Sequence, residues 1–369
     1  MYIKMKQLRN TTRVLATVIT MMILLSSMQS IVSGQSNLDP IVVLYDASHN
    51  QQYAADDEDH GLKLMLDMVN ASTKYNLRVN DDDELTDVLL NDVDILIIAA
   101  PDEGSPFTED EANGIAEMLA NGSSLFVLGD PVIGENSNYW AEALMQDLGE
   151  NDAVNNFLDA INVTSVRFSL NESGFSEIYG DTMFDNEHAV FNETYSWIIR
   201  LDSSTWDTSH PIFRNINDLY TMTATLKPLE LASGIARGYE STFAQFKSDF
   251  NSWGNYSYPN MTLADFEQNP LSFSAINGTF PSWMSAFEYD TSRIVIAGSA
   301  LMFTGRDIDY PQTDLKWFYM GDNARLFMNI IDWLSEDFAT APSAVIPLAI
   351  ISSVVLVIGV VFYLFKKIR

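Results

Sequence analysis

Between residues 41 and 128 short uninterrupted apolar runs alternate with stretches whose apolar residues recur every three or four positions. Ile41 to Tyr45, Val93 to Ala99 and Ser124 to Leu128 are too short for helices and lack a polar face, which predicts strands buried on both sides of a sheet. Gly61 to Ser72 sets Leu62, Leu64, Met65 and Met68 at helical spacing. A short strand near Leu77 to Val79 and a short helix at Leu85 to Leu90 follow. Thr108 and Glu111 have capping-box spacing and open a helix from Glu109 to Asn121, with Ala112, Ile115, Ala116 and Leu119 on one face and Gly122 as its stop. Strand, helix, strand, helix, strand at this spacing predicts an α/β domain, a parallel sheet with helices on both faces.

From about Asn151 to Pro281 the periodicity weakens and Asn, Ser, Thr and aromatic residues dominate. This predicts a β-rich elaboration over residues 151–282, with a strand at Leu219 to Thr225. The α/β pattern resumes with strands at Trp283 to Tyr289 and Arg293 to Gly298. It closes with a helix, Asn323 to Leu334, opened by Asp322 as N-cap and docking Leu326, Phe327, Ile330 and Trp333 or Leu334.

The two ends differ from everything between them. Lys4, Lys6, Arg9 and Arg13 precede the apolar run Val14 to Leu25 and the small-residue stretch Val32 to Gly34, the pattern of a signal peptide over residues 1–34 cleaved before Gln35. The competing reading keeps that segment as a second, uncleaved membrane helix. Ala344 to Phe365 is 22 residues without a charge, enough to cross a hydrocarbon core of about 30 Å. Lys366, Lys367 and Arg369 then form a basic tail, residues 366–369, of the kind kept in the cytoplasm. The expected product is a single-pass membrane protein whose residues 35–340 lie outside the cytoplasm.

Charge agrees with that topology. All 50 acidic residues fall between Asp39 and Asp337, and without the seven basic residues of the two ends the outer part has 13 bases and a formal charge of −37. Such a surface repels nucleic acid and anionic headgroups. Cysteine is absent, which removes disulfides, thiol nucleophiles and thiolate metal sites. Eight Asn-x-Ser/Thr sequons in the outer part, at Asn70, Asn121, Asn162, Asn171, Asn192, Asn255, Asn260 and Asn277, suit a glycosylated exterior.

Open α/β sheets bind ligands outside the carboxyl ends of their strands. Those ends supply Asp46, Ser48 and His49, then Asp102 and Glu103, then Asp130, and finally Ser299. The competing reading makes Asp46 and Asp130 caps of turns or helices and His49 a solvated loop residue. His49 and His60 flank Asp56 to Asp59, yet no metalloprotease helix or EF-hand loop is present, and a solvated acidic loop is favoured over a metal site. No G-x-S-x-G elbow and no phosphate-binding glycine motif occurs, and no cofactor is expected. Ser299 with Asp46 and His49 would be a nonstandard triad at most. The aromatic stretch from Phe243 to Tyr289 suits sugar stacking or a protein partner, against the plainer reading that it covers the sheet edge as satellite core.

Several of these segments together resemble a known family. Ile41 to His49, Pro106 to Glu111, Gly122 to Asp130, His210-Pro211-Ile212, Arg293 to Ser299 and Gly321 to Leu334 look, in that order, like the glutamine-amidotransferase-like domain of the gliding-motility GldG protein, intraflagellar-transport proteins and the lumenal non-catalytic subunit of oligosaccharyltransferase. The resemblance implies a flavodoxin-like or amidotransferase-like fold. In catalytic relatives a strand ends in a sharp turn presenting a nucleophilic Cys, whereas the comparable strand here delivers Gly129, Asp130 and Pro131. The resemblance therefore implies a non-catalytic module binding a membrane-protein complex or a glycan, with an exporter-type complex as the GldG-like partner. Two alternatives remain: an accessory subunit of an oligosaccharyltransferase, and a degenerate hydrolase. Against the first, the chain has no room for the second lumenal domain that such a subunit carries.

Overall fold

The computed structural model describes residues 40–81, 84–170, 180–229, 234–246, 282–311 and 313–336. In chain order its elements are β1 (Ile41–Asp46), α1 (Lys63–Asn70), β2 (Tyr75–Asn80), α2 (Asp87–Leu90), β3 (Ile95–Ala99), α3 (Glu109–Ala120), β4 (Ser124–Leu128), α4 (Ala143–Gln146), α5 (Asn151–Ala160), β5 (Val166–Phe168), β6 (Asp181–Phe184), β7 (Ile199–Asp202), β8 (Asp218–Thr221), β9 (Leu226–Pro228), β10 (Gly234–Arg237), β11 (Phe243–Phe246), β12 (Ser282–Tyr289), β13 (Ser292–Ala297) and α6 (Asn323–Leu334).

The main sheet runs β2-β1-β3-β4-β13-β12-β9-β5, with β10 also paired to β12. Its first five strands are parallel, in registers such as Val43 opposite Ile95, Ile95 opposite Ser124 and Leu125 opposite Ile294. From β12 onward the pairing is antiparallel. Every residue of β3 and β4 is buried, because both faces of these strands are covered, as their unbroken apolar sequence requires. On one face Val43, Tyr45, Ile97 and Phe126 meet Leu66 and Val69 of α1 and Phe327 and Ile330 of α6. On the other Leu44, Leu96, Val127 and Ile296 meet Ile115 and Leu119 of α3 and Val154 and Phe157 of α5. The protein is thus a mixed α/β structure built on a large, mainly parallel sheet between helices.

Three local outcomes depart from the sequence pattern. Residues 151–160, the start of the expected elaboration, form α5 and belong to the main sheet's second face. Of the expected strand at Leu219 to Thr225 only the part up to Thr221 forms, as β8, because residues 222–225 leave the ladder before β9 begins: Ala224 N–H donates to Gly298 O and Thr225 N–H to Asp181 Oδ1. Asp322 makes no side-chain cap on α6, since its carboxylate accepts from Asn217 N–H at 2.7 Å and pairs with Arg325 at 2.9 Å. The elaboration itself contributes two small sheets, β6 with β11 and β7 with β8. No helix among the described residues is long and apolar enough to cross a membrane, and the expected leader (residues 1–34) and anchor (residues 344–365) lie outside them.

Candidate functional site

In the order β2-β1-β3-β4, chain direction across the sheet reverses between β1 and β3, and the place for a ligand is the gap outside their carboxyl ends. Here the two loops that leave β1 and β3 are bonded to each other across that gap. Gln52 N–H donates to Ala100 O at 3.3 Å, Asp102 N–H to His49 O at 3.2 Å, and Asn50 Nδ2 to Asp102 Oδ2 at 2.5 Å. Asn50 (φ 49°) and Ala100 (φ 47°) both take the left-handed conformation to make the fit, an unfavourable choice for alanine.

Asp46, Ser48 and His49 do come together, although not around an opening. Asp46, at the end of β1, is buried and accepts from Ser48 Oγ (2.8 Å), Asn80 Nδ2 (3.1 Å), Gln51 Nε2 (2.9 Å) and His49 Nδ1 (2.7 Å). The other imidazole nitrogen of His49 lies 3.4 Å from Glu111 Oε2, and the ring stacks on Phe107 at 3.8 Å between centroids. Glu111 also closes the capping box of α3 and accepts from Leu85 N–H. Burial alone would push both carboxyls up and His49 down. Hydrogen bonding and opposite charge outweigh it: His49 holds Asp46 below its ordinary value, backbone N–H groups of Thr108 and Leu85 hold Glu111 below its own, and Asp46 raises His49. His49 is a buried side chain held between the carboxylates of Asp46 and Glu111, not a solvated loop residue. Glu111, 62 residues away, is the partner that the sequence did not point to.

Asp130 and Ser299 lie deeper, at the ends of β4 and β13, and both act on one turn. Asp130 Oδ1 accepts from Ala300 and Leu301 N–H, each at 3.1 Å, and Ser299 Oγ accepts from Met302 N–H at 3.1 Å. Burial raises Asp130 to about 8. Asp130 Oδ2 and the nearby Tyr53 hydroxyl make no well-formed hydrogen bond, and both are buried without a partner among the described residues. A Cβ on Gly129 would come within 2.4 Å of Asn151 Oδ1 and of the Phe168 ring, so the turn has no room for a side chain there. With both imidazole nitrogens of His49 facing carboxylates and Ser299 committed to Met302, the nonstandard triad is not assembled. Among the described residues no group of three or more His, Asp or Glu is placed to hold a metal ion; His60 is exposed beside Asp57.

The open space at this end of the sheet lies to one side. A cleft of about 580 Å³ is formed by the loops after β1 (Asp59, His60), β4 (Asn138, Tyr139, Glu142) and β13 (Arg306 to Tyr310, Lys316). Its floor is fixed by the buried Asp309, whose carboxylate accepts from Ser137 Oγ (2.6 Å), Asn138 N–H (2.8 Å) and Trp197 Nε1 (2.7 Å), tying the elaboration to the sheet. Burial raises Asp309 above its ordinary value. A second hollow, of about 870 Å³, lies between β2 and α2, where Arg78 and Asp92 already pair at 2.7 Å. Of the aromatic stretch, Trp283 is fully buried and Phe243 stacks on Phe184 at 5.6 Å, while residues 247–281 lie outside the described residues. Asn70, Asn121, Asn162 and Asn192 are exposed at the ends of elements; Asn171, Asn255, Asn260 and Asn277 lie outside the described residues.

No family model matches the chain, and no curated protein does. Among solved structures, a cytoplasmic protein from Salmonella typhimurium is 10% identical over 80% of this chain and 98% of its own, with a TM-score of 0.35. A protein described as ThuA-like, from Bacteroides uniformis, is 10% identical over 82% of this chain and 94% of its own, with a TM-score of 0.37. A second Salmonella typhimurium cytoplasmic protein is 9% identical over 79% and 98%, with a TM-score of 0.33. Likeness at this level carries no conclusion about what the chain does.

Proposed function

We propose that the chain is a non-catalytic, membrane-anchored module that works outside the cytoplasm and binds a partner, as an accessory of an exporter-type membrane complex. The observation that carries the reading is that the carboxyl ends of the strands are closed: the loops after β1 and β3 are bonded to each other, and Asp130, which the resemblance sets at the nucleophile position, is buried and engaged with the turn after β13. The parallel order β2-β1-β3-β4-β13 supports a flavodoxin-like or amidotransferase-like fold, and with it the resemblance to the GldG-type domain. The proposed anchor follows α6, whose last turn is held at the amino ends of the strands by Ser124 Oγ donating to Leu334 O and by Arg293 donating to Trp333 O. The cleft is at the opposite, carboxyl end of the sheet.

Affinity purification of the tagged full chain from native membranes tests this. An ATPase and a permease recovered with it are the expected result, and a chain recovered alone would overturn the reading. Recovery with a membrane glycosyltransferase would move the protein to the oligosaccharyltransferase alternative. A hydrolytic activity lost in Ser299→Ala would establish an enzyme instead.

A further inference from the structure

Four of the outer part's eight sequons lie among the described residues, and they differ in what their atoms already do. Asn70 is the last residue of α1, and the hydroxyl of its sequon, Ser72 Oγ, accepts from Lys74 N–H at 3.2 Å. Asn121 follows the end of α3, and its Ser123 Oγ donates to Val93 O at 2.7 Å, so that hydroxyl is spent on the sheet. After Asn162 comes Val163, which is fully buried, donates to Leu158 O at 2.9 Å and accepts from Arg167 Nη1 at 2.6 Å. The sequon Asn192-Glu193-Thr194 is alone among the four in having all three residues exposed. Asn192 is extended (φ −169°, ψ 171°), and its Oδ1 accepts from Thr194 N–H at 2.9 Å, which leaves Asn192 Nδ2 and the Thr194 hydroxyl without a partner among the described residues. Phe191 and Tyr195, on either side, pack on the ring of Tyr310 at 3.8 and 5.0 Å between centroids. Tyr310 lines the cleft of about 580 Å³.

We infer that Asn192 carries an N-linked saccharide standing at the rim of the cleft. This rests on the reading of the domain as lying outside the cytoplasm, and it selects one acceptor from the four. Transfer needs an amide nitrogen that can reach the saccharide donor and, two residues on, a hydroxyl open to the transferase, which is why the Asn-x-Ser/Thr pattern serves in surface loops. In that step Asn192 Nδ2 attacks the anomeric carbon of a lipid-phosphate-linked saccharide. The C–N bond forms and the C–O bond to phosphate breaks; the lipid phosphate leaves with the electron pair, and one Nδ2 proton passes to a base of the transferase. Because the two flanking rings hold this turn against Tyr310, a partner entering the cleft meets the saccharide on that wall.

Fragmentation mass spectrometry of peptides from the full chain, purified out of its native membranes, is the test. A saccharide on Asn192 in most copies is expected, at several-fold the occupancy of Asn70, Asn121 and Asn162. Asn192→Gln and Thr194→Ala should each abolish it and leave the other three sites unchanged, whereas Thr194→Ser should keep it. A bare Asn192 beside a modified Asn70, Asn121 or Asn162, or equal occupancy at all four, would overturn the inference and leave the exterior reading standing. No saccharide at any of the four overturns it too. In that case labelling of the half-exposed Lys63 on intact cells by a membrane-impermeant amine reagent decides the exterior reading on its own.

Discussion

His49 shows how much a single buried side chain can hold. Removing it takes the one basic partner from two buried carboxylates that keep only their neutral donors, Ser48, Gln51 and Asn80 on Asp46 and Thr108 and Leu85 on Glu111, so His49→Ala should cost about 3 kcal/mol in chemical denaturation at neutral pH. A loss no larger than that of an exposed histidine would refute the clamp. Its pH window follows from the directions of the three shifts. His49 is raised above its ordinary 6.5, so its contribution is whole below that pH and is lost as pH rises through the folded value. Asp46 and Glu111 are held below their ordinary 3.8 and 4.5, so theirs is present above those values and lost as pH falls through the folded ones. Asp130 pulls differently from those carboxylates. Raised from 3.8 to about 8, it stays protonated in the fold while the unfolded chain gives up its proton, so stability declines as pH rises across that interval. Asp130→Asn should flatten the decline, whose slope reaches about 1.4 kcal/mol per pH unit, in denaturation midpoints measured from pH 5 to 8. An unaltered slope would mean that the buried carboxyl is not the group responsible.

Elements separate what sequence could foretell from what it could not. The capping box at Thr108 and Glu111 is local, and the structure has it as the spacing predicts. Thr108→Ala should cost about 1 kcal/mol, read from the unfolding midpoint. Gly129→Ala should cost more, about 3 kcal/mol, because its Cβ at 2.4 Å from Asn151 and Phe168 must displace one of them; a neutral effect would show that the turn after β4 is looser than it looks. The parallel strands were legible for the same reason as the cap: burial on two faces leaves an unbroken apolar run. Other features depended on pairs far apart in the chain. Glu111 meets His49 across 62 residues, Trp197 meets Asp309 across 112, and residues 222–225 leave their ladder because Gly298 and Asp181 offer partners. The candidate crevice residues were correctly placed at strand ends, but whether those ends open or close was decided by loop-to-loop bonds such as Asn50 to Asp102. No periodicity records such bonds. The cleft draws on three loops for the same reason, and only its charged residue types were visible beforehand.

At the scale of the whole molecule, the amphipathic domain and the uncharged segment 344–365 make separable claims. The last turn of α6 is fixed to the sheet from three directions: Ser124 donates to Leu334 O, Arg293 to Trp333 O, and Lys74 Nζ pairs with Asp332 at 2.9 Å. Among the described residues the two faces of the core are built from residues up to Leu334. Ending the chain after Glu336 should therefore leave folding intact while removing the proposed anchor. The expected outcome is a truncated protein recovered outside the cell in the soluble fraction, with the denaturation midpoint of the full chain in detergent. Glycosidase treatment of the same material should increase its mobility if Asn70, Asn121, Asn162 or Asn192, all exposed, carry glycan. Continued membrane association of the truncated chain would place the anchor elsewhere, with the apolar run at Val14 to Leu25 as the segment to delete next. A soluble but unfolded product would instead mean that residues after Glu336 complete the core. Near-UV circular dichroism separates the two, since Trp283 and Trp317 are fully buried and lose their fixed surroundings only if the sheet does.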